Sequence, residues 1–551
     1  MRFIMKLYHF SQKILLALAF LVTVSSCSDF FETDLNSVVP IEGRKIQTQR
    51  QAFYQMCGIL QLMQQVGDSY VISSELRADN VTQTENSSQD LRDIELFHAD
   101  STNAFLAERK MYTLINNCNY YLQTVDSAYM GATADTLSSQ VKCIRAWAYM
   151  QLALDYGKVY LSDTQSMNMD QLADYLIEDL KPYCPADGQP EMYPFSSGEY
   201  ATINSYATSY LFFPVRYLLG ELYMWKENFT EAAHMYYQLI LDRKLTVTGG
   251  YRNRWRNNLC EDVSIRNWEG QFSSLSSNNQ VTVIPFSTEG ESAQTNLPDL
   301  FSTGWQMGVS STCLDLFTSQ AYTINLTAVP VSGDLRGEGI YSDYGSYVLR
   351  TVADEETPHA VVTKYNKLQA NAARYIPLCR SAKVYLRYAE AVNRLGLHRL
   401  AMAVLKYGLN ATTLSNANYM GRQDLSEYPF TDFGQFNSNL ATTFAGNAAL
   451  HGRGSGDADM NAAYKIDISS GVDSLTDVEN KIMDEYVLET AFEGGRFYDL
   501  MRISQYRRDP QYLAARVARK LSQVAGSGRS YDDWLIYLSD QRNWYLPSLK
   551  K

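Results

Sequence analysis

Apolar residues recur at helical spacing over much of the chain. Residues 476–502 read TDVENKIMDEYVLETAFEGGRFYDLMR. Met483, Val487 and Ala491 form the centre line of one face, flanked by Ile482, Tyr486, Leu488 and Phe492, which predicts an amphipathic helix. Thr476 with Glu479 three residues on is a capping-box start. Gly494 and Gly495 supply the stop, because glycine takes a left-handed cap at little cost. A second helix opens at once, with Phe497, Leu500 and Met501 on its apolar side. Upstream, Met111, Leu114, Ile115, Cys118 and Leu122 repeat at the same spacing within 108–125. Ile144, Trp147, Met150 and Leu154 do so within 139–156, a helix ended by Gly157.

From Tyr206 the pattern becomes a repeat. Leu219-Gly220-x-x-Tyr223, followed by Ala232 and Tyr236, has the spacing of a tetratricopeptide unit. Gly220 and Ala232 let two helices approach, Tyr223 and Tyr236 fill the gap, and Glu227-Asn228 makes the turn. In 383–410, Ala389, Ala401, Leu405 and Gly408 hold the same relative positions. The two units start about 170 residues apart, so the hairpins assemble across long insertions. Each needs neighbours over its apolar face, and 108–157 and 476–502 are the natural ones. Two stretches lack helical rhythm. Residues 250–370 are rich in Ser, Asn, Gly and aromatics, with a β-like run at 281–286, and 411–475 are rich in Gly, Asn and Ser. Loops this long are usually functional or disordered. The expected fold is therefore mainly α: a tetratricopeptide-like helical hairpin scaffold with long irregular, partly β insertions. Its regions are 1–26, a leader; 27–250, helical; 251–370, loop-rich; and 371–551, helical with the loop insertion 411–475.

The leader changes the picture of where the chain works. Arg2, Lys6 and Lys13 precede an apolar run at 14–24, too short to span a bilayer, which takes about 20 residues, but suited to a signal-peptide core. Val24-Ser25-Ser26-Cys27 then has the form of a lipobox, making Cys27 the expected acylation site. Acyl chains contribute about 0.8 kcal/mol per buried CH₂, so two or three anchor stably. No other apolar run is long enough to span, so the mature chain reads as tethered and otherwise soluble. Formal net charge is −12, and removing three positive and no acidic residues gives −12 − 3 = −15 for the mature chain. That argues against nucleic acid and anionic headgroups as partners. The eight cysteines lie at least 25 positions apart, which excludes C-x-x-C chemistry. Apart from Cys27 they read mainly as buried thiols, with at most one or two disulfides.

Candidate chemistry is sparse. Glu485, Glu489 and Glu493 fall at i, i+4 and i+8. Paired carboxylates can do acid–base work or hold a metal, but a di-metal bundle needs Glu-x-x-His motifs that are absent here. We read the row as a buried ion-pair network with Arg496, Arg502, Arg507 or Arg508. Asp457-x-Asp459-x-Asn461 starts like a calcium loop but has Ala462 and Ile468 where glycine and glutamate belong. No phosphate loop, nucleophile elbow or H-E-x-x-H motif occurs. No catalytic residue, metal site or cofactor is expected. Flat rings are the better candidates: Trp255, Trp268, Trp305, Tyr341 and Tyr344 in 251–370, with Asp79 and Asn80 in a polar loop. One ring stacked on a sugar face covers about 75–100 Å², worth roughly 2 kcal/mol.

The run E-T-A-F-E-G-G-R-F-Y-D-L-M-R, 489–502, resembles the C-terminal signature of the SusD/RagB family, usually E-L-A-F-E-G-x-R-W/F-x-D-L-x-R. It carries Glu489, Phe492, Glu493, Gly494, Arg496, Asp499 and Arg502, and departs in threonine at 490 and glycine at 495. Residues 145–160 and the block R-Y-A-E-A-V-N-R-L-G at 387–396 resemble further family blocks. The resemblance implies a lipoprotein of the cell outer membrane, palmitate-anchored through Cys27 and facing the cell exterior. It implies that the protein binds oligosaccharide and delivers it to a SusC-like TonB-dependent transporter. The acidic start at 28–34 resembles the export tag of such lipoproteins. A peptide-binding, RagB-like uptake subunit is the alternative; a secreted glycoside hydrolase or a purely structural transporter subunit come further behind.

Overall fold

The computed structural model describes residues 45–549 apart from 163, 204–205, 248–267, 269–270, 273–278, 287–293, 323–330, 339–344, 351–357, 366–373, 421–427, 433–437 and 456–465. The longer helices are α1 (Gln49–Leu76), α2 (Glu108–Thr124), α3 (Ala132–Tyr156), α4 (Met169–Leu180), α5 (Val215–Trp225), α6 (Phe229–Asp242), α7 (Ser381–Arg394), α8 (His398–Lys406), α9 (Ser474–Thr490), α10 (Arg496–Arg507), α11 (Gln511–Leu521) and α12 (Tyr531–Ser539). The strands that matter below are β1 (Val81–Gln83), β2 (Gln280–Phe286), β3 (Met307–Val309), β4 (Tyr347–Arg350), β5 (His359–Val362) and β6 (Arg374–Arg380). They form antiparallel pairs, β1 with β3, β4 with β5 and β2 with β6. The fold is mainly α, as expected. None of the described helices is long and apolar enough to cross a membrane.

The hairpins form where the small residues require them. A Cβ on Gly220 would lie 2.7 Å from the Tyr236 ring, so α5 and α6 touch only because position 220 has no side chain. The turn between them uses Glu227 at φ +56° and Asn228, whose side chain caps α6 through Glu231 N. The second hairpin, α7–α8, packs on α6 through α7, while α9 covers α7 and α8. Units distant in sequence thus become neighbours, and α4 links α3 to α5. One apolar core runs from Ile46 to Trp544 and draws on all three mature regions. α1, started by a reciprocal Thr48–Gln51 capping box, lies across it and takes β2 and β6 on one side. There a Cβ on Gly67 would meet Ile376 and Ile284 at 3.0 and 3.3 Å.

Two expectations need correction. Helix α9 is capped by Asp473, whose carboxylate accepts from Thr476 N at 2.9 Å. The Thr476–Glu479 box does not form, because Glu479 is drawn inward to Arg394 and Arg507. The stop comes earlier than the glycines: α9 ends at Thr490, and Phe492, Gly494 and Gly495 take φ of +71°, +90° and +95° to turn the corner. A Cβ on Gly494 would also sit 2.5 Å from Tyr70, so that glycine is required twice over. No disulfide joins the described cysteines, which agrees with their reading mainly as buried thiols. Cys118, Cys143, Cys313 and Cys379 are buried thiols, and Cys57 and Cys184 half-buried ones.

Candidate functional site

The glutamate row does form an ion-pair network, but with other partners. Arg336 Nη1 donates to Glu485 at 2.6 Å and Glu489 at 2.9 Å, and its Nη2 to Asp334 at 2.8 Å. Arg380 reaches Glu489 at 2.8 Å and Glu493 at 2.7 Å. Lys364 bonds Glu493 at 2.8 Å, and Arg453 bonds Glu489. These are four cations against four carboxylates, all buried, so formal charge cancels within the group. Burial alone would raise the Glu489 pKa, but Arg453, Arg380 and Arg336 outweigh it and hold the carboxyl well below its usual range. The partners come from the two long insertions and β6; the anticipated arginines are used elsewhere. Arg496 forks onto Asp79 at 2.7 and 2.9 Å, Arg502 binds Glu390 and Asp499, Arg507 binds Glu479 and Arg508 binds Glu227. The network therefore ties loops to helices.

A separate open cleft is built in part from other residues of the same 251–370 insertion. Its volume is about 740 Å³, and it is lined by Gln83, Thr84, Glu85, Trp305, His359 and Gln523, among others from β1, β3, β5 and the end of α11. β1 pairs β3 with Val81 opposite Val309 and Gln83 opposite Met307. Just before β3, residues Asp299–Thr303 form a π-helical turn, a form often found at functional sites. It delivers Trp305 at φ +41°, a conformation costly for a bulky residue and concentrated at ligand clamps. The strain is held by neighbours. Thr84 Oγ1 donates to the Trp305 carbonyl at 2.5 Å, Ser87 Oγ to that of Gln306, and Ser88 N to Gln306 Oε1 at 3.2 Å. The half-buried indole stacks on His359, with centroids 3.6 Å apart and planes at 13°. Gly308 leaves the room: a Cβ there would lie 3.4 Å from the indole nitrogen and 3.3 Å from Thr84.

The cations of the cleft are committed to the protein. Arg92 donates to the carbonyls of Ser87, Thr84 and Glu85 at 2.9–3.1 Å. Lys520 donates to Leu76 and Val81 carbonyls and pairs Glu95 at 3.0 Å. Burial pulls its pKa down. Glu85, exposed at the rim, approaches His359 to 3.9 Å. The rest of the lining mixes hydroxyls and amides, the Trp305 and His359 rings, and the aliphatic residues Val309, Leu314, Pro358, Ala360 and Val524.

Of the ring candidates, Trp305 lies in this cleft. Trp268 does not: it is 2 % exposed, donates its indole N–H to Ser346 Oγ at 3.3 Å, and covers the Lys364 and Arg380 cations. Asp79 and Asn80 are buried as well, contrary to their expected place in a ligand-facing loop. Burial works against the Asp79 carboxylate, but Arg496 outweighs it and keeps its pKa low. Asn80 donates to Glu75 at 3.1 Å, and burial pushes Glu75 up to about 7. Their carbonyls nevertheless fasten the cleft, accepting from Ser310 N at 2.9 Å and Thr312 Oγ1 at 2.7 Å. Trp255, Tyr341, Tyr344, Cys27 and the 457–461 run lie outside the described residues. Sequence reading missed Gln83, Thr84, His359 and Gln523, none of which falls on a motif that it singled out.

No protein-family model matches the sequence, and no curated protein matches it. Solved structures do. A SusD superfamily protein from Bacteroides vulgatus superposes with a TM-score of 0.59 at 14% identity, covering 92% of this chain and 97% of that one. A SusD homolog from Bacteroides thetaiotaomicron gives 0.55 at 14%, covering 91% and 94%. Surface glycan-binding protein A from Bacteroides fluxus gives 0.53 at 16%, covering 88% and 93%. The chain shares the fold of these SusD-superfamily structures over nearly its whole length.

Proposed function

We propose that this SusD-like chain is a cell-surface binding protein that captures oligosaccharide in the Trp305 cleft. The observation that carries the reading is the Trp305–His359 stack, held in a strained backbone conformation at the wall of an open cleft. A flat ring suits the C–H face of a sugar, while the surrounding amides and hydroxyls suit its hydroxyl groups. One such face is worth roughly 2 kcal/mol, consistent with a ligand that must be handed on. The name of one fold neighbour, a surface glycan-binding protein, agrees with this. Among the described residues lining the cleft, Glu85 is the only carboxylate. Glycoside hydrolysis uses two flanking carboxyls, so we assign binding without turnover. The lipobox and the acidic start behind it support a lipid anchor at Cys27, in the outer membrane and facing outward. The signature resemblance supports delivery to a SusC-like TonB-dependent transporter.

The chain from Ser28, titrated against a glycan array and a peptide library, tests the ligand. Glycan binding that is lost in Trp305→Ala is the expected result; peptide binding with no glycan signal overturns it. For the anchor, Cys27→Ala should release the protein from the envelope, and retention there removes that part.

A further inference from the structure

The construction at Trp305 occurs a second time, far along the chain. Phe195 stands at φ +59°, again left-handed for a bulky aromatic residue. Its carbonyl is clamped by a threonine, Thr208 Oγ1 at 3.0 Å, as the Trp305 carbonyl is clamped by Thr84. Beside it lies a stacked ring pair, Phe53 over Tyr200, with centroids 4.3 Å apart and planes at 22°. Phe195 meets Phe53 edge-on at 5.2 Å and Tyr200 at 6.2 Å. Next to the pair on α1, Tyr54 is 58 % exposed and touches Phe53 edge-on at 6.0 Å.

The helix beneath carries an independent sign that something approaches. Gly58 lies one turn on from Tyr54, inside a 28-residue helix. A Cβ there would meet nothing within 4 Å, so no internal packing asks for glycine. Glycine disfavours a helix interior but permits close approach of another molecule to the backbone. Phe195 itself packs against the core and holds the cluster there, while Phe53, Tyr54 and Tyr200 lie outside that core, beside a bare stretch of backbone, as a surface kept ready for a ligand. Tyrosine fits the same use, offering an apolar face with a hydroxyl at its edge.

We propose that Phe53, Tyr54, Phe195 and Tyr200 form a second carbohydrate contact, which takes a sugar segment of a long glycan chain. The inference rests on the reading of the Trp305 cleft as a sugar site, from which it borrows the chemical class of its ligand. Two contacts on one polymer raise apparent affinity without either being tight.

The test uses the chain from Ser28 with amylopectin, xylan, laminarin and mannan, each polymer set against its own tetrasaccharide. Polymer binding is read by affinity electrophoresis and tetrasaccharide binding by calorimetry. For whichever polymer binds, Tyr54→Ala with Tyr200→Ala should weaken polymer retention about tenfold or more and leave tetrasaccharide binding unchanged. Tyr54→Phe should keep most of the retention. Trp305→Ala should lower both readouts. Unchanged retention in the Tyr54→Ala, Tyr200→Ala variant, with loss in Trp305→Ala, overturns the second contact and keeps the cleft. The reverse pattern overturns the cleft and keeps the second contact. Equal loss of polymer and tetrasaccharide in the tyrosine variant overturns the division into two sites, as does a copurifying protein partner released by that variant when no polymer is retained. A wild-type chain that retains none of the four counts against both.

Discussion

On α9, Glu485, Glu489 and Glu493 offer one carboxylate per turn to Arg336, Arg380, Arg453 and Lys364, and every one of these side chains is buried. At the cleft, Trp305 is half-buried, its backbone is left-handed, and one ring face is backed by His359. The first region completes its interactions inside the protein; the second spends backbone energy to hold a surface incompletely used. A buried ion pair contributes little net stability relative to apolar packing, yet breaking it is expensive because a lone charge remains. A strained, half-exposed ring has the opposite profile, cheap to remove for the fold and costly for a ligand. So the most elaborate chemistry of the chain is structural, and the chemistry proposed for binding is modest.

The largest effect should come from Glu489→Ala, which takes the carboxylate partner from Arg453 and one of the carboxylates from each of Arg336 and Arg380. A loss of about 3–5 kcal/mol is expected in urea unfolding, with ligand affinity unchanged in whatever protein stays folded. A stable variant that has lost its ligand would erase the contrast. Acid should attack the same region. Glu485 and Glu493 are both held below the ordinary value of 4.5, where burial is outweighed by Arg336 for the first and by Arg380 for the second. Their contribution is therefore full above that pH and fades as pH falls below it. Melting temperature measured from pH 6 to pH 3 should decline below about 4.5, and Glu489→Ala should flatten the decline.

Trp305→Ala should do the reverse, weakening oligosaccharide binding by about 2 kcal/mol, roughly 30-fold, with a melting temperature close to wild type. Calorimetry with the oligosaccharide found on the array and a thermal scan on one sample decide it. Unfolding in place of lost affinity would make the ring a core residue. The smallest effect belongs to Glu85→Gln. Its rim carboxylate is exposed and lies 3.9 Å from His359, so stability should shift by less than about 0.5 kcal/mol. A larger change, or hydrolysis of the glycan that vanishes with this variant, would move the cleft from binding to catalysis.

How much of this could be read beforehand differs between the two regions. The apolar line Met483, Val487, Ala491 was legible because a helix repeats locally, and each of those side chains is buried. The Gly220–Tyr236 approach was legible for the same reason. Carboxylates at every fourth residue announced a network, yet not its partners. Arg336 stands 149 positions from Glu485, while Arg496 stands only 11 away and turns to Asp79. Trp305 could be named, but not told from Trp268, since both occur in the same insertion and both rings are flat. One lies in the cleft and the other covers the network.

The sequence by itself determined the helices, their pairing into hairpins, the glycines at the corner after α9 and the kinds of group available for binding. These follow from spacing, which local backbone geometry imposes on any chain. Only the tertiary structure decided which charges meet and which ring stays open. Those outcomes depend on segments brought together from 36 to 221 residues apart, where burial, not local preference, sets the energy of every polar group.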